Sequence, residues 1–119
     1  MKVRITQAQP TEADADLFVV GLYEGGELPA ALHDAAGAPE ARGGFKKLST
    51  VHPASPARAL VIGLGKRGDF DPERARVVAA LAAKQAGALG AASLAWLLPD
   101  CEDGEAIAAA LVTGTILGA

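Results

Sequence analysis

The stretch Gly63-Leu64-Gly65-Lys66-Arg67-Gly68 has the residue types and spacing most suggestive of chemistry. It fits G-x-G-x-x-G, the glycine pattern that brings backbone N–H groups close to a pyrophosphate between a strand and a helix. A strand-like run precedes it and a helix start follows. The neighbouring residues oppose that use. In a phosphate-binding turn the glycines run straight into the helix whose free N–H groups meet the anion. Here Asp69-Phe70-Asp71 intervenes and sets two carboxylates where the phosphates would lie. The acid expected about 20 residues further on, for the ribose hydroxyls, is missing, since Ala88 to Leu98 contains none. The plainer reading is a tight strand-to-helix turn with Lys66 and Arg67 solvated at its tip.

The other reactive residue types do not group. His33 lies beside Asp34, His52 precedes Pro53, and Cys101 stands alone. A zinc or catalytic centre needs several ligands, or a nucleophile, base and orienting group together. Two histidines and one cysteine without paired spacing read as surface residues. Cys101 is flanked by acids, which raise a thiol pKa and weaken it as a nucleophile. Glu102, Asp103 and Glu105 read as the favourable acidic first turn of a helix, not as a metal cluster. Trp96 falls inside a buried strand and reads as core. No catalytic, cofactor-binding or metal-ligating residue is assigned.

The elements that would position such residues follow from the hydrophobic pattern. Lys2 to Gln7 alternates, with Val3 and Ile5 on one face of a half-buried strand. Leu17-Phe18-Val19-Val20-Gly21-Leu22-Tyr23 is a continuous apolar run of strand length, suited to the centre of a sheet. Leu28 to Ala36 reads as a short helix with Pro29 in its first turn and Gly37 at its end. Ala38 to Gly44 is loop-like, and Phe45 to Val51 is a further, poorly patterned strand. Arg58 to Leu64 is a buried strand. Asp71-Pro72-Glu73 is a strong helix start, and that helix reaches about Ala86, with Ala75, Val78, Leu81, Ala82 and Gln85 down one face. Ser93 to Leu98 is another buried strand, and a last helix begins near Asp103. Strand, helix, strand, helix implies parallel pairing through crossovers. The class is α/β, a three-layer sandwich with a mixed, largely parallel sheet between helices.

Composition bounds the rest. Of 119 residues, 50% are apolar, but 27 are alanine, so helices must pack closely through small side chains. A charged fraction of 21% with this much apolar content excludes disorder. The length supports one core and a single domain over 1–119. The longest apolar run, Ala86 to Leu98, falls short of the roughly 20 residues a membrane span needs. The N-terminus has no signal-peptide core, and a single cysteine fits a reducing, cytoplasmic setting. A net charge of −3 argues against a general nucleic-acid binder. Positive charge gathers only at Lys46-Lys47 and Lys66-Arg67.

The end of the chain is unusual. Ala106 to Ala119 has no charged residue, whereas a helix end usually carries polar or basic groups for its last carbonyls. An interrupted longer protein is expected.

Together, Ala59-Leu60-Val61-Ile62-Gly63-Leu64-Gly65-Lys66, the helix after it, and Leu111-Val112-Thr113-Gly114-Thr115-Ile116-Leu117-Gly118-Ala119 resemble the N-terminal domain of the leucyl aminopeptidase (cytosol aminopeptidase) family. Its members have a buried strand ending in V-G-L-G-K and a helix of E-G-x-x-L-A-x-Y type leading into the catalytic domain. Here the chain stops where the aromatic residue would come. The resemblance implies a macro-domain-like α/β sandwich joined to a C-terminal catalytic domain. It implies removal of N-terminal residues from peptide substrates by two divalent metal ions, manganese or zinc, in that second domain. The family's N-T-D-A-E-G-R motif is absent here, so no metal or catalytic position carries over. Members are usually hexamers with these domains outermost, which implies a part in assembly, access or regulation. The alternatives are a free-standing module binding a nucleotide or ADP-ribose at Gly63-Gly68, and a weak DNA-contacting module.

Overall fold

The computed structural model describes residues 2–7, 15–29, 32–33, 35, 37–51 and 58–118. Five strands form one sheet in the order β1-β5-β2-β4-β3. They are β1 (Lys2–Thr6), β2 (Leu17–Tyr23), β3 (Leu48–Val51), β4 (Arg58–Gly65) and β5 (Ser93–Leu97). β1, β5, β2 and β4 run parallel, and β3 pairs antiparallel with β4. The expected mixed, mostly parallel α/β sheet is therefore present. Helices α1 (Pro72–Ala88) and α2 (Gly104–Gly118) follow β4 and β5.

The central strands are apolar on both faces because both faces are covered. On one face Leu17, Val19, Leu60, Ile62, Leu64, Leu94 and Trp96 meet the two α-helices. On the other, Phe18, Val20, Leu22, Ala59, Val61 and Ala95 meet Leu32 and Ala35. Burying each of the larger aliphatic side chains stabilises the fold by about 1.5–3 kcal/mol. Register between β2 and β5 is secured at their starts: Ala92 N–H donates to Asp16 Oδ2 (2.8 Å) and Asp16 N–H to Ser93 Oγ (3.0 Å).

Asp71 caps α1, its carboxylate accepting from Arg74 N–H at 2.8 Å. The helix runs slightly past the expected stop, through Ala88, and ends where Gly90 turns left-handed (φ 76°) and Ala91 N–H reaches back to Ala86 C=O. The Arg58 guanidinium donates to Leu89 C=O at 3.1 Å, satisfying a carbonyl near that helix end. The buried face is Ala75, Val78, Ala79, Ala82, Ala83 and Ala86. Leu81 and Gln85 are only half-buried, because α1 packs against α2 as well as the sheet, which turns the alanines inward. Gly114 of α2 sits on that alanine surface. A Cβ there would collide with the Arg76 carbonyl oxygen and lie 2.8 Å from Ala79 Cβ, so the two helices are in backbone contact.

The expected helix over Leu28–Ala36 falls partly outside the described residues, at 30, 31, 34 and 36. What is described is a succession of i→i+3 turns, not α-helix: Leu32 N–H to Pro29 C=O, Ala35 N–H to Leu32 C=O, and Ala38 N–H to Ala35 C=O. It leads through Gly37, left-handed at φ 91°, into a 3₁₀ turn over Ala38–Glu40. Such turns suit a stretch this short, where the tighter winding closes bonds within three residues. They supply the layer opposite α1 and α2 with two buried anchors, Leu32 and Ala35. The strand expected over Phe45–Val51 is shortened to Leu48–Val51, since Lys46 adopts a left-handed φ of 71°.

Candidate functional site

The Gly63-Gly68 turn is committed to the fold. Gly63 N–H donates to Lys47 C=O (2.7 Å) and Gly65 N–H to Gly43 C=O (2.9 Å), while the carbonyls of both glycines accept from Lys46 and Glu24. Gly63 is required by contact, since a Cβ would overlap the Gly44 carbonyl oxygen. The chain then winds through a 3₁₀ turn over Arg67–Asp69 before α1 begins. An anion at this point would need open N–H groups. Two of the glycine N–H groups are occupied, and the Asp71 carboxylate fills the N-terminus of α1. The nucleotide-binding alternative is not favoured.

Beside this turn, at the carboxyl ends of β2 and β5, lies a crevice of about 670 Å³. Ligands in open α/β sheets bind at this end of the strands. Tyr23, Phe70 and Ile107 form its apolar wall, and Arg67, Asp100 and Cys101 its polar wall. The Tyr23 hydroxyl donates to Asp100 C=O at 2.9 Å, and its ring meets Phe70 edge-on at 5.7 Å. The Arg67 guanidinium lies 4.4 Å from the Tyr23 ring centre and donates to both the carbonyl and the carboxylate of Asp100, each at 3.1 Å. Burial raises the Tyr23 pKa, and Cys101 and Asp100 add to the rise against Arg67. Burial also leads in raising the Cys101 thiol, followed by Asp100 and Asp103, with Arg67 opposing. A protonated thiol is a weak nucleophile, and the acids beside it act as expected from the sequence.

Three of the acids around the crevice are already engaged. Asp71 caps α1, Asp103 Oδ1 accepts from Ala106 N–H (3.2 Å) at the start of α2, and Asp100 is paired with Arg67. Each of these three therefore has a partner of its own. Among the described residues no three His, Cys, Asp or Glu side chains are placed to hold a metal ion.

The remaining candidates are dispersed. His33 is exposed and donates from Nε2 to Leu28 C=O at 2.6 Å, whereas His52 lies outside the described residues. Trp96 is fully buried in β5, as expected of a core residue. Lys46 and Arg74 flank the Phe45 ring at 5.4 and 4.7 Å. The Tyr23–Arg67–Asp100 arrangement could not be read in advance, because Tyr23 and Asp100 are 77 residues apart. The only signal was indirect, an aromatic residue closing one apolar strand and an acid following another.

This α/β sandwich, with its glycine turn used for structure, defines a domain whose likeness lies in its whole course and not in a catalytic motif. The family model for the cytosol aminopeptidase family, N-terminal domain, matches residues 19–119, and the chain belongs to that family. A probable cytosol aminopeptidase of Roseiflexus castenholzii (strain DSM 13941 / HLO8) is 37% identical over 99% of this chain, a span that covers 25% of the relative. The chain thus spans about a quarter of the length of the curated relative it matches. Two solved structures share the fold. The tomato leucine aminopeptidase mutant superposes with a TM-score of 0.73 at 18% identity, over 99% of this chain and 28% of that one. The bottromycin maturation enzyme BotP gives 0.71 at 23% identity, over 87% and 23%, and BotP has also been solved in complex with Mn.

Proposed function

We propose that this chain is the accessory N-terminal domain of a longer leucyl aminopeptidase, one domain over 1–119. In this reading a C-terminal catalytic domain removes N-terminal residues from peptides with two divalent metal ions, manganese or zinc. The observation that carries it is the pairing of near-complete coverage of this chain with only 25% coverage of its aminopeptidase relative. The domain's own part is assembly, access or regulation within a homo-oligomer, a hexamer by family likeness, in the cytoplasm. Among the described residues no helix is long and apolar enough to cross a membrane.

The test is direct. The 119-residue chain, supplied with manganese or zinc, should take up no stoichiometric metal in equilibrium dialysis and should not hydrolyse leucine p-nitroanilide. The reading frame beyond Ala119 should continue into clustered aspartates, a lysine and N-T-D-A-E-G-R, and the longer product should turn over that substrate. Stoichiometric metal uptake with turnover by the short chain, or a stop codon directly after Ala119, would overturn the assignment.

A further inference from the structure

The two α-helices share a layer but present opposite kinds of surface to solvent. Outward positions of α1 include Glu73, Arg76 and Lys84, and the first two pair with each other. α2 has no charged residue after Glu105. Its outward residues are Ala109, Thr113, Ile116 and Leu117, with Val112 half-buried. Positions 109, 112, 113 and 116 follow the i, i+3, i+4, i+7 rule and make one stripe along the helix. Exposure culminates near the C-terminal end, where Ile116 is 59% and Leu117 76% exposed. A surface helix normally sets charged or polar residues on its outer face; here Thr113 is the one polar side chain of the stripe, and a largely apolar face marks an interaction site.

The family model is that of an N-terminal domain, and the matched relative extends over about three quarters more of its own length. An N-terminal domain is followed by further polypeptide, and the most exposed apolar side chains of this one lie near the end of α2. We propose that the stripe Ala109, Val112, Thr113, Ile116 and Leu117 is the docking face for the catalytic part of the same longer polypeptide. Covalent continuity sets a millimolar-range effective concentration, so a small apolar contact holds. A second copy would need roughly 600 Å² or more from each partner, beyond what five residues of one helix offer. The inference rests on the functional reading above.

Hydroxyl-radical footprinting separates the possibilities, comparing the 119-residue chain with the longer polypeptide. Oxidation of Ile116 and Leu117 should fall at least about fivefold in the longer protein at every protein concentration. Leu48, exposed at the far edge of the sheet, should be oxidised equally in both. The double substitution Ile116→Glu with Leu117→Glu should leave the Tm of the short chain nearly unchanged, lower that of the longer protein, and restore oxidation along the stripe at Val112. Equal oxidation of Ile116 and Leu117 in the two forms overturns the proposal. Protection that appears only as concentration rises assigns the stripe to a second copy and also overturns it. Protection in a longer protein that lacks peptidase turnover upholds the docking face while sinking the functional reading.

Discussion

At Gly63 and Cys101 the folded neighbours, and not the residue type, decide what the group does. Gly63 belongs to a glycine fingerprint by spacing, but its backbone is pressed against Gly44 and bonded to Lys47. Gly63→Ala should therefore destabilise the chain by roughly 1–3 kcal/mol, as overpacking does, seen as a lower urea midpoint at unchanged slope. ADP-ribose titrated calorimetrically should give no heat at millimolar ligand. Micromolar binding abolished by Gly65→Val would restore the nucleotide reading. Cys101 and Tyr23 both hold their protons more tightly in the folded chain than in the unfolded one, chiefly through burial. Their contribution is complete below the ordinary thiol range and is lost as pH rises through it and then through the phenol range. Urea midpoints should fall from neutral to alkaline pH, and Cys101→Ser with Tyr23→Phe should flatten that fall. An unchanged profile in the double variant would refute the assignment to these two groups.

At the scale of elements, helix α1 combines a strong local signal with an arrangement that local signals do not specify. Asp71 begins it, and Asp71→Ala should cost about 1 kcal/mol through the lost cap, with Asp71→Ser recovering most of it in thermal unfolding. Its alanine face accepts α2 through Gly114. Gly114→Val should cost about 3 kcal/mol, since the Arg76 carbonyl cannot retreat without bending α1. Thr113→Val, one position away and exposed, should change stability by less than about 0.5 kcal/mol. Similar losses from both would mean that helix propensity, and not close contact, governs α2. The short segment near Leu32 shows the reverse case. Pro29 and Gly37 pointed to a helix between them, but the described residues are in i→i+3 turns, with Leu32 and Ala35 as buried anchors of that layer.

For the molecule as a whole, strand existence, the two well-marked helices and the parallel order were legible because each depends on local pattern. The continuous apolar run Leu17–Tyr23 and the run Ala59-Leu60-Val61-Ile62 within Arg58–Leu64 must be buried on both faces, and an Asp-Pro helix start between strands demands a crossover. The resemblance to the aminopeptidase N-terminal domain was equally legible, since it lies in the order and spacing of the strand turn and the last helix. Lateral strand order, which places β2 between β4 and β5, was not. Neither was the side on which both α-helices lie, nor the crevice joining Tyr23 to Asp100. These depend on contacts between residues far apart in the chain, whose partners are chosen by shape and by the mutual satisfaction of backbone groups. The same difference decides the glycine turn. Its residue types permit phosphate binding, and only the folded neighbours, Gly43, Gly44 and Lys47, take up the groups that such binding would use.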